Sequence, residues 1–413
     1  MSRKVTPFLE KYNLLESSID LEKESQRFLK EMEWGLLKNK ESSLAMIYTY
    51  LDLNFDLPLN EKVAVIDAGG TNLRTCLVSF NKNREAVIEN FELQRMPGFD
   101  KEVSDKEFFA IIAKQVKPLL KESRSIGFSF SYEAQSLPNL DAIAVGFSKE
   151  IKAQQVIGKK LGVSLSEALK LKDKRVILLN DTVATLLAGK KSSLSKHYGT
   201  YVGYILGTGT NSAYYEKSVG QIINTETGAY DYVVGPLDDA FIKTTEIPSY
   251  HRFEKMVGGA YLGSFAHFVL KQAASDSVFE KSAFENIERL TTKEVSQFLE
   301  NPYNKANVLT QGVQTQTDSY RLTVIFDSLI RRCAKLTALG ISAAVLKSGE
   351  GKDPNNRVCV NVDGSTFYKT KNLKEYTNEY LSSFLEKEKN IYFELVHIES
   401  SPVIGAAIAA LGN

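Results

Sequence analysis

Apolar positions recur at helical spacing early in the chain: Phe28, Met32 and Leu36 stand four apart, with Glu and Lys between them. One apolar face of this kind predicts a helical section over residues 1–60, ended by Pro58 and Asn60. The period then changes. Val63-Ala-Val-Ile66 is a short unbroken apolar run, the pattern of a strand covered on both faces. Asp67-Ala-Gly-Gly-Thr71 follows as a tight turn, and Leu73–Phe80 as the returning strand of a hairpin. The same pattern comes back about 140 residues later. Val202-Gly-Tyr-Ile-Leu206 is its strand, Gly207-Thr-Gly-Thr210 its turn and Asn211–Glu216 its return. A third variant is Val358–Val362 followed by Asp363-Gly-Ser365. Between the repeats, Val176-Ile-Leu-Leu179 reads as a strand ending in Asn180-Asp181. Thr182–Ala188 then reads as a helix closed by Gly189 as its C′ residue. Lys347–Arg357 is charged and unpatterned, which predicts a surface loop. The repetition predicts two related α/β halves with a cleft at the strand ends, where open α/β sheets bind ligands.

Composition narrows the class. The 413 residues suit two or three domains and can bury a large core without staples. Lys plus Arg is 51 and Asp plus Glu is 50, which excludes a globally basic nucleic-acid binder. Cys76, Cys333 and Cys359 are far apart and odd in number, so a disulfide framework is not expected and a reducing compartment is. His197, His251, His267 and His397 form no metal-binding pair. The N-terminal stretch has no signal-type apolar core, and the longest apolar runs, such as Ile404–Leu411, fall far short of the roughly 18 residues a membrane helix needs. The expectation is a soluble, cytoplasmic protein with no membrane or nucleic-acid partner.

The turns carry the candidate chemistry. In Asp67-Ala-Gly-Gly-Thr71 two glycines let the backbone approach an anion and aim N–H groups at it. Thr71 and Asn72 add donors, Arg74 adds charge, and the Asp67 carboxylate suits a phosphate-bound Mg2+. The turn is neither a Walker A loop nor a dinucleotide fingerprint, and alone it equally fits a plain glycine hairpin. Gly207-Thr-Gly-Thr-Asn211 has the same logic, and the three turns together suggest a nucleotide held between two hairpins. Asp181, at the mouth of a strand, is the candidate for proton transfer; the alternative is that it simply caps the next helix. Glu226 and Glu254 stand among small or apolar neighbours. They are either solvated carboxylates or buried ones that a polyol would satisfy.

The assembled set resembles the hexokinases, ATP-dependent sugar kinases, and in order over most of the chain. Phe28-Leu-Lys-Glu-Met32 and Leu44–Tyr50 resemble the family's helical approach, and Asp67-Ala-Gly-Gly-Thr-Asn-Leu-Arg74 its first phosphate motif. Gly127-Phe-Ser-Phe-Ser-Tyr132 and Phe147-Ser-Lys149 resemble its sugar signature, and Leu179-Asn-Asp-Thr-Val183 its catalytic segment. Gly207-Thr-Gly-Thr-Asn211, Asn224-Thr-Glu226, Phe253-Glu-Lys-Met256 and Val362-Asp-Gly-Ser365 complete the series. The resemblance implies an α/β, two-domain actin-like (ribonuclease H-like) fold with a sugar and nucleotide cleft between the domains. It places residues 62–180 in a small domain joined by helix 401–413, and 181–400 in a large domain joined by 1–61. It implies transfer of phosphate from ATP, with Mg2+, to the 6-hydroxyl of a hexose such as glucose. Asp181 would be the general base. Ser131, Ser148, Lys149, Asn180, Asn211, Glu226 and Glu254 would hold the sugar. Asp67, Gly69, Gly70, Thr71, Asn72, Arg74, Gly207, Thr208 and Thr210 would hold the phosphates, and Asp363 and Gly364 would lie near the adenosine. Asp67 and Asp181 would reach Mg2+ through water. Four departures stand out. Glu133 replaces a proline, Phe147-Ser-Lys-Glu150 replaces Trp-Thr-Lys-Gly, Thr227 replaces a tryptophan, and Glu399–Gly405 replaces a glycine- and serine-rich nucleotide loop.

Overall fold

The N-terminal helical pattern forms two helices and then stops. The computed structural model, which describes residues 4–147, 151–190, 197–281, 284 and 286–413, has α1 at Val5–Lys11 and α2 at Leu21–Leu36. Asp20 caps α2 by accepting the Lys23 N–H at 3.0 Å, and Phe28 and Met32 are buried. Beyond Leu36 only the two-residue strand β1 (Ile47–Tyr48) is regular before residue 63, so the helix expected to residue 60 is cut short. The physical reason is local competition: Asn39, Ser42 and Asp52 each accept a hydrogen bond from a backbone N–H two residues on.

The first sheet contains β2 (Val63–Ala68), β3 (Asn72–Phe80), β4 (Ala86–Arg95) and β5 (Ile126–Phe130), with helix α3 (Asp105–Val116) in the connection to β5. A small hairpin, β6 (Ala134–Ser136) with β7 (Ala142–Ala144), and helix α4 (Leu161–Leu169) lead to β8 (Val176–Leu179). The strand order is β4-β3-β2-β5-β8, antiparallel across β4-β3-β2 and parallel from β2 to β8. Helix α5 (Asp181–Gly189) then crosses to the second half. Gly189 is the last residue of that helix and not a left-handed residue beyond it; Lys190 caps it. A Cβ at Gly189 would press on Asn361 of the second sheet, which is what its size serves.

The second sheet begins with β9 (Thr200–Leu206), β10 (Thr210–Glu216) and β11 (Gln221–Asn224). Helices α6 (Pro236–Lys243), α7 (Arg252–Val257), α8 (Gly259–Ser275), α9 (Thr292–Glu300), α10 (Val308–Gly312) and the long α11 (Gln316–Ser348) follow. The expected loop at 347–357 starts only at Gly349, whose left-handed conformation (φ 73°) ends α11. Then come β12 (Val358–Asp363), α12 (Ser365–Lys369), α13 (Leu373–Leu381), β13 (Phe393–Val396) and α14 (Ser401–Gly412). The order is β1-β11-β10-β9-β12-β13, with β9-β10-β11 antiparallel and β9-β12-β13 parallel. Without β1, each sheet therefore has its first three strands as an antiparallel meander and its last two added in parallel beside the first.

The two sheets meet through a stack of close contacts. A Cβ at Gly127 of β5 would overlap the Ala406 carbonyl of α14, one at Gly405 of α14 the Ala184 carbonyl of α5, and one at Gly203 of β9 the Thr182 carbonyl of α5. Sheet, α14, α5 and sheet thus lie backbone against backbone, and the turns after β2 and β9 open into the same cleft. Among the described residues no helix is long and apolar enough to cross a membrane.

Candidate active site

The first turn is shaped by the sheet around it. Asp67 and Arg74 are register partners across β2 and β3, and the guanidinium meets the carboxylate at 2.7 Å. Burial pushes the Asp67 pKa up, Arg74 opposes that, and the nearby Asp363 charge adds to it. The Gly69 N–H closes the turn on Asn72 O at 3.0 Å. The Tyr132 hydroxyl donates to Gly70 O at 2.8 Å and fixes the turn from behind. A Cβ at Gly70 would meet nothing within 4 Å, so the turn faces open space, with Thr71 and Asn72 beside it. An anion can dock there against backbone amides.

The second turn is braced from below. Gly207 O accepts the Gly259 N–H at 2.9 Å and the Thr366 hydroxyl at 2.7 Å, and Thr208 O accepts the Ala260 N–H at 3.0 Å. Its carbonyls are thus turned toward the start of α8, leaving the other side of the turn to a ligand. Thr210 departs from the expectation of a phosphate contact. Its hydroxyl is buried and bonded to Ile205 O at 3.0 Å, and its N–H donates to Glu254 Oε2 at 3.0 Å. A threonine hydroxyl at the first position of a buried strand finds its partner inside the sheet. Asp363 ends β12, and Gly364 adopts φ 120° with no room for a Cβ beside Leu206 O. That conformation packs Gly364 against Gly207 and brings the third turn up to the second.

Between the turns stands Asp181. Asn180 is the cap of α5, its side chain accepting the Thr182 N–H at 2.8 Å, so Asp181 occupies the first helical position and is not consumed in capping. Burial raises the Asp181 pKa to about 7; the Ser131 hydroxyl and the Thr182 N–H favour its charged form, while Asp67 and Glu226 oppose it. A carboxylate poised near neutrality can take a proton from a substrate hydroxyl.

Glu226 sits in a left-handed conformation (φ 58°) just after β11. Its Oε1 accepts Asn224 Nδ2 at 2.7 Å and Asn211 Nδ2 at 3.4 Å, and Asn211 also accepts the Ser212 and Thr227 N–H groups. Asn211 thus holds Glu226 in place. Burial raises the Glu226 pKa, Asn224 and His251 oppose this, and Glu133 and Glu254 add to it. His251 Nδ1 lies 3.6 Å from Glu254 Oε1. Burial works against the charged imidazole, but Glu254, Glu226 and Glu133 outweigh it and the His251 pKa is raised. A cavity of about 740 Å3 opens beside these groups, walled by Ile47, Val145, Ile242 and Tyr250.

The structure therefore brings Asp67, Arg74, Ser131, Asp181, Asn211, Glu226, Glu254 and the three turns to one cleft. Ser148 and Lys149 lie outside the described residues, with Glu150. Tyr132 and Asn224 stand in the quoted motifs without a role of their own and here brace the first turn and Glu226; His251, beside Glu254, carried no signal in the sequence. The site also fits a nucleotide and its metal. Asp67 Oδ1 is buried without a well-formed hydrogen bond, and the Asp67 carboxylate, paired with Arg74, lies close enough to Asp181 and Asp363 to interact with both. Among the described residues no three His, Cys, Asp or Glu side chains form a direct metal cage.

Two hexokinase family models match the chain, one over residues 6–191 and one over 201–412. Among curated relatives, hexokinase-10 of Oryza sativa subsp. japonica is 27% identical over 92% of this chain and 84% of its own. Hexokinase-1 of Schizosaccharomyces pombe is 27% identical over 94% and 87%. The solved hexokinase of Schistosoma mansoni, complexed with glucose, superposes with a TM-score of 0.80 at 24% identity, covering 99% of each chain. A ROK hexokinase from Thermus thermophilus superposes more loosely, with a TM-score of 0.55 at 14% identity over 84% of this chain and 97% of that one.

Proposed function

The chain belongs to the hexokinase family and is an ATP-dependent hexose kinase; on that premise we propose that its acceptor is glucose, phosphorylated at the 6-hydroxyl with Asp181 as general base. The observation that carries the proposal is Asp181 itself: a half-buried carboxylate whose pKa desolvation raises to about 7, at the first position of α5 and not spent as its cap. Asp181 takes the hydroxyl proton as the oxygen attacks. Asn180, Glu226, Glu254 and Ser131 orient the sugar, with Ser148 and Lys149 expected to join them. Asp67, Gly69, Gly70, Thr71, Asn72, Arg74, Gly207 and Thr208 hold the phosphates, Asp363 and Gly364 border the adenosine, and Asp67 with Asp181 reaches Mg2+ through water. Bound as its Mg2+ complex, ATP supplies the phosphoryl group and the metal spreads the charge on its oxygens. Arg74 and the turn amides add fixed positive charge at the same oxygens. The Schistosoma relative's complex with glucose supports the choice of sugar.

The test is a coupled ADP assay with ATP and Mg2+ over a panel of hexoses. Glucose is expected to give the highest kcat/KM, with mannose or fructose slower. Turnover of a non-sugar alcohol without turnover of glucose would sink the assignment.

A further inference from the structure

One of the four departures from the family pattern stands at the cleft mouth. Glu133 follows Tyr132 on the first-sheet side, in the place where the family carries a proline. Its Oε1 accepts a hydrogen bond from the Tyr250 hydroxyl, which comes from the loop before α7 on the second-sheet side. Both side chains line the cavity that reaches Glu226 and His251. Tyr250 stacks on His251, with ring centroids 3.8 Å apart and planes 11° from parallel. His251 holds an uncommon left-handed conformation (φ 50°) and faces Glu254, which in turn accepts the Thr210 N–H of the second turn. A continuous line of contacts thus runs from one sheet, across the mouth, to the sugar carboxylate and the phosphate turn.

We propose that Glu133, Tyr250 and His251 form a strut across the cleft mouth that holds the two halves together over the bound sugar and positions Glu254. These are positioning residues: none needs to touch the reacting atoms. A proline side chain at position 133 offers no acceptor, so the strut belongs to this chain's own departure. The proposal rests on the hexose-kinase reading, since it assigns the strut to sugar retention.

The experiment is a double-mutant cycle on the full chain, with glucose affinity read by calorimetry without nucleotide and kcat and KM read with Mg-ATP. Glu133→Ala and Tyr250→Phe should each weaken glucose binding about 3–10-fold, the worth of one hydrogen bond. The double variant should be no weaker than the weaker single one, because both remove the same bond. Glu133→Gln, which keeps a side-chain oxygen acceptor, should recover most of the affinity. The glucose KM should rise by more than kcat falls, and the melting temperatures should stay together. Wild-type glucose affinity in folded Tyr250→Phe, or fully additive losses in the cycle, would overturn the strut while leaving the kinase reading intact. A wild-type chain that binds no hexose would overturn the kinase reading, and the strut with it.

Discussion

Asp181 is destabilising in the empty protein, and its cost has a definite sign. Its pKa lies near 3.8 in the unfolded chain and about 7 in the fold. Between those values the native state holds a proton that the unfolded chain has released, so stability falls as pH rises from about 4 to 7 and the loss is complete above that. Asp181→Asn should therefore stabilise the empty protein, by only about 0.5 kcal/mol at pH 4 and by about 2–4 kcal/mol at pH 8. Urea melts at the two pH values check this; equal gains at both would show that Asp181 is not held protonated. The same substitution should lower kcat by about 10²–10⁴-fold with the fold intact, and near-normal turnover would remove the role of base. In the wild type, kcat/KM for glucose should rise with pH through an apparent pKa near 7. Glu226→Gln should move that limb to lower pH, since the Glu226 charge is one of the causes that raise Asp181. Glu254 is expected to act on both substrates. Its Oε2 accepts the Thr210 N–H of the phosphate turn, so Glu254→Ala should raise the KM for glucose and for ATP together. An unchanged KM for ATP would show that the turn stands without it. Asp67 and Asp181 could be singled out from the sequence because each stands at the end of a continuous apolar run, whereas Glu226 took a definite role only through the family resemblance. The inward hydroxyl of Thr210 could not, because the sequence does not say which lattice of bonds a turn residue joins.

At the level of elements, strands and their turns were the legible part. The runs at 63–66, 176–179 and 202–206 are continuous and apolar because these strands are covered on both faces, and 358–362 is broken only by Asn361, whose side chain bonds Thr185 O and Ser401 Oγ. The stretch from residue 37 to 62 was not, since the periodic signal from α2 says nothing of where side-chain competition with the backbone will end it. Residues 399–405 show a second kind of blindness. They stand where a nucleotide loop is expected, yet Ser401 already begins α14, and Val403 and Ile404 face its core against α5. Gly405 there serves a helix crossing. Gly405→Val should cost about 1–3 kcal/mol, because the added atoms would be driven into the Ala184 carbonyl. A melting temperature unchanged by Gly405→Val would mean that the two helices can separate without loss.

For the molecule as a whole, the burial of Val403 and Ile404 leaves the nucleotide base few polar contacts from that segment, so affinity should rest on the triphosphate. The preference for ATP over GTP, as a ratio of kcat/KM, is expected below about 10³, some 4 kcal/mol; a larger ratio would require a base-reading group elsewhere. Two related halves were legible from the returning strand-turn-strand pattern, because each half builds its glycine turn at the same point of the same meander. Their joining was not legible, since it depends on glycines far apart in sequence: Gly127, Gly203 and Gly405. That joint has a mechanical consequence. Three glycines there face the carbonyls or side chains of their neighbours with no space to spare, so a side chain at any one of them would wedge the sheets apart and displace α5, and with it Asp181 at its first position, from the glycine turns.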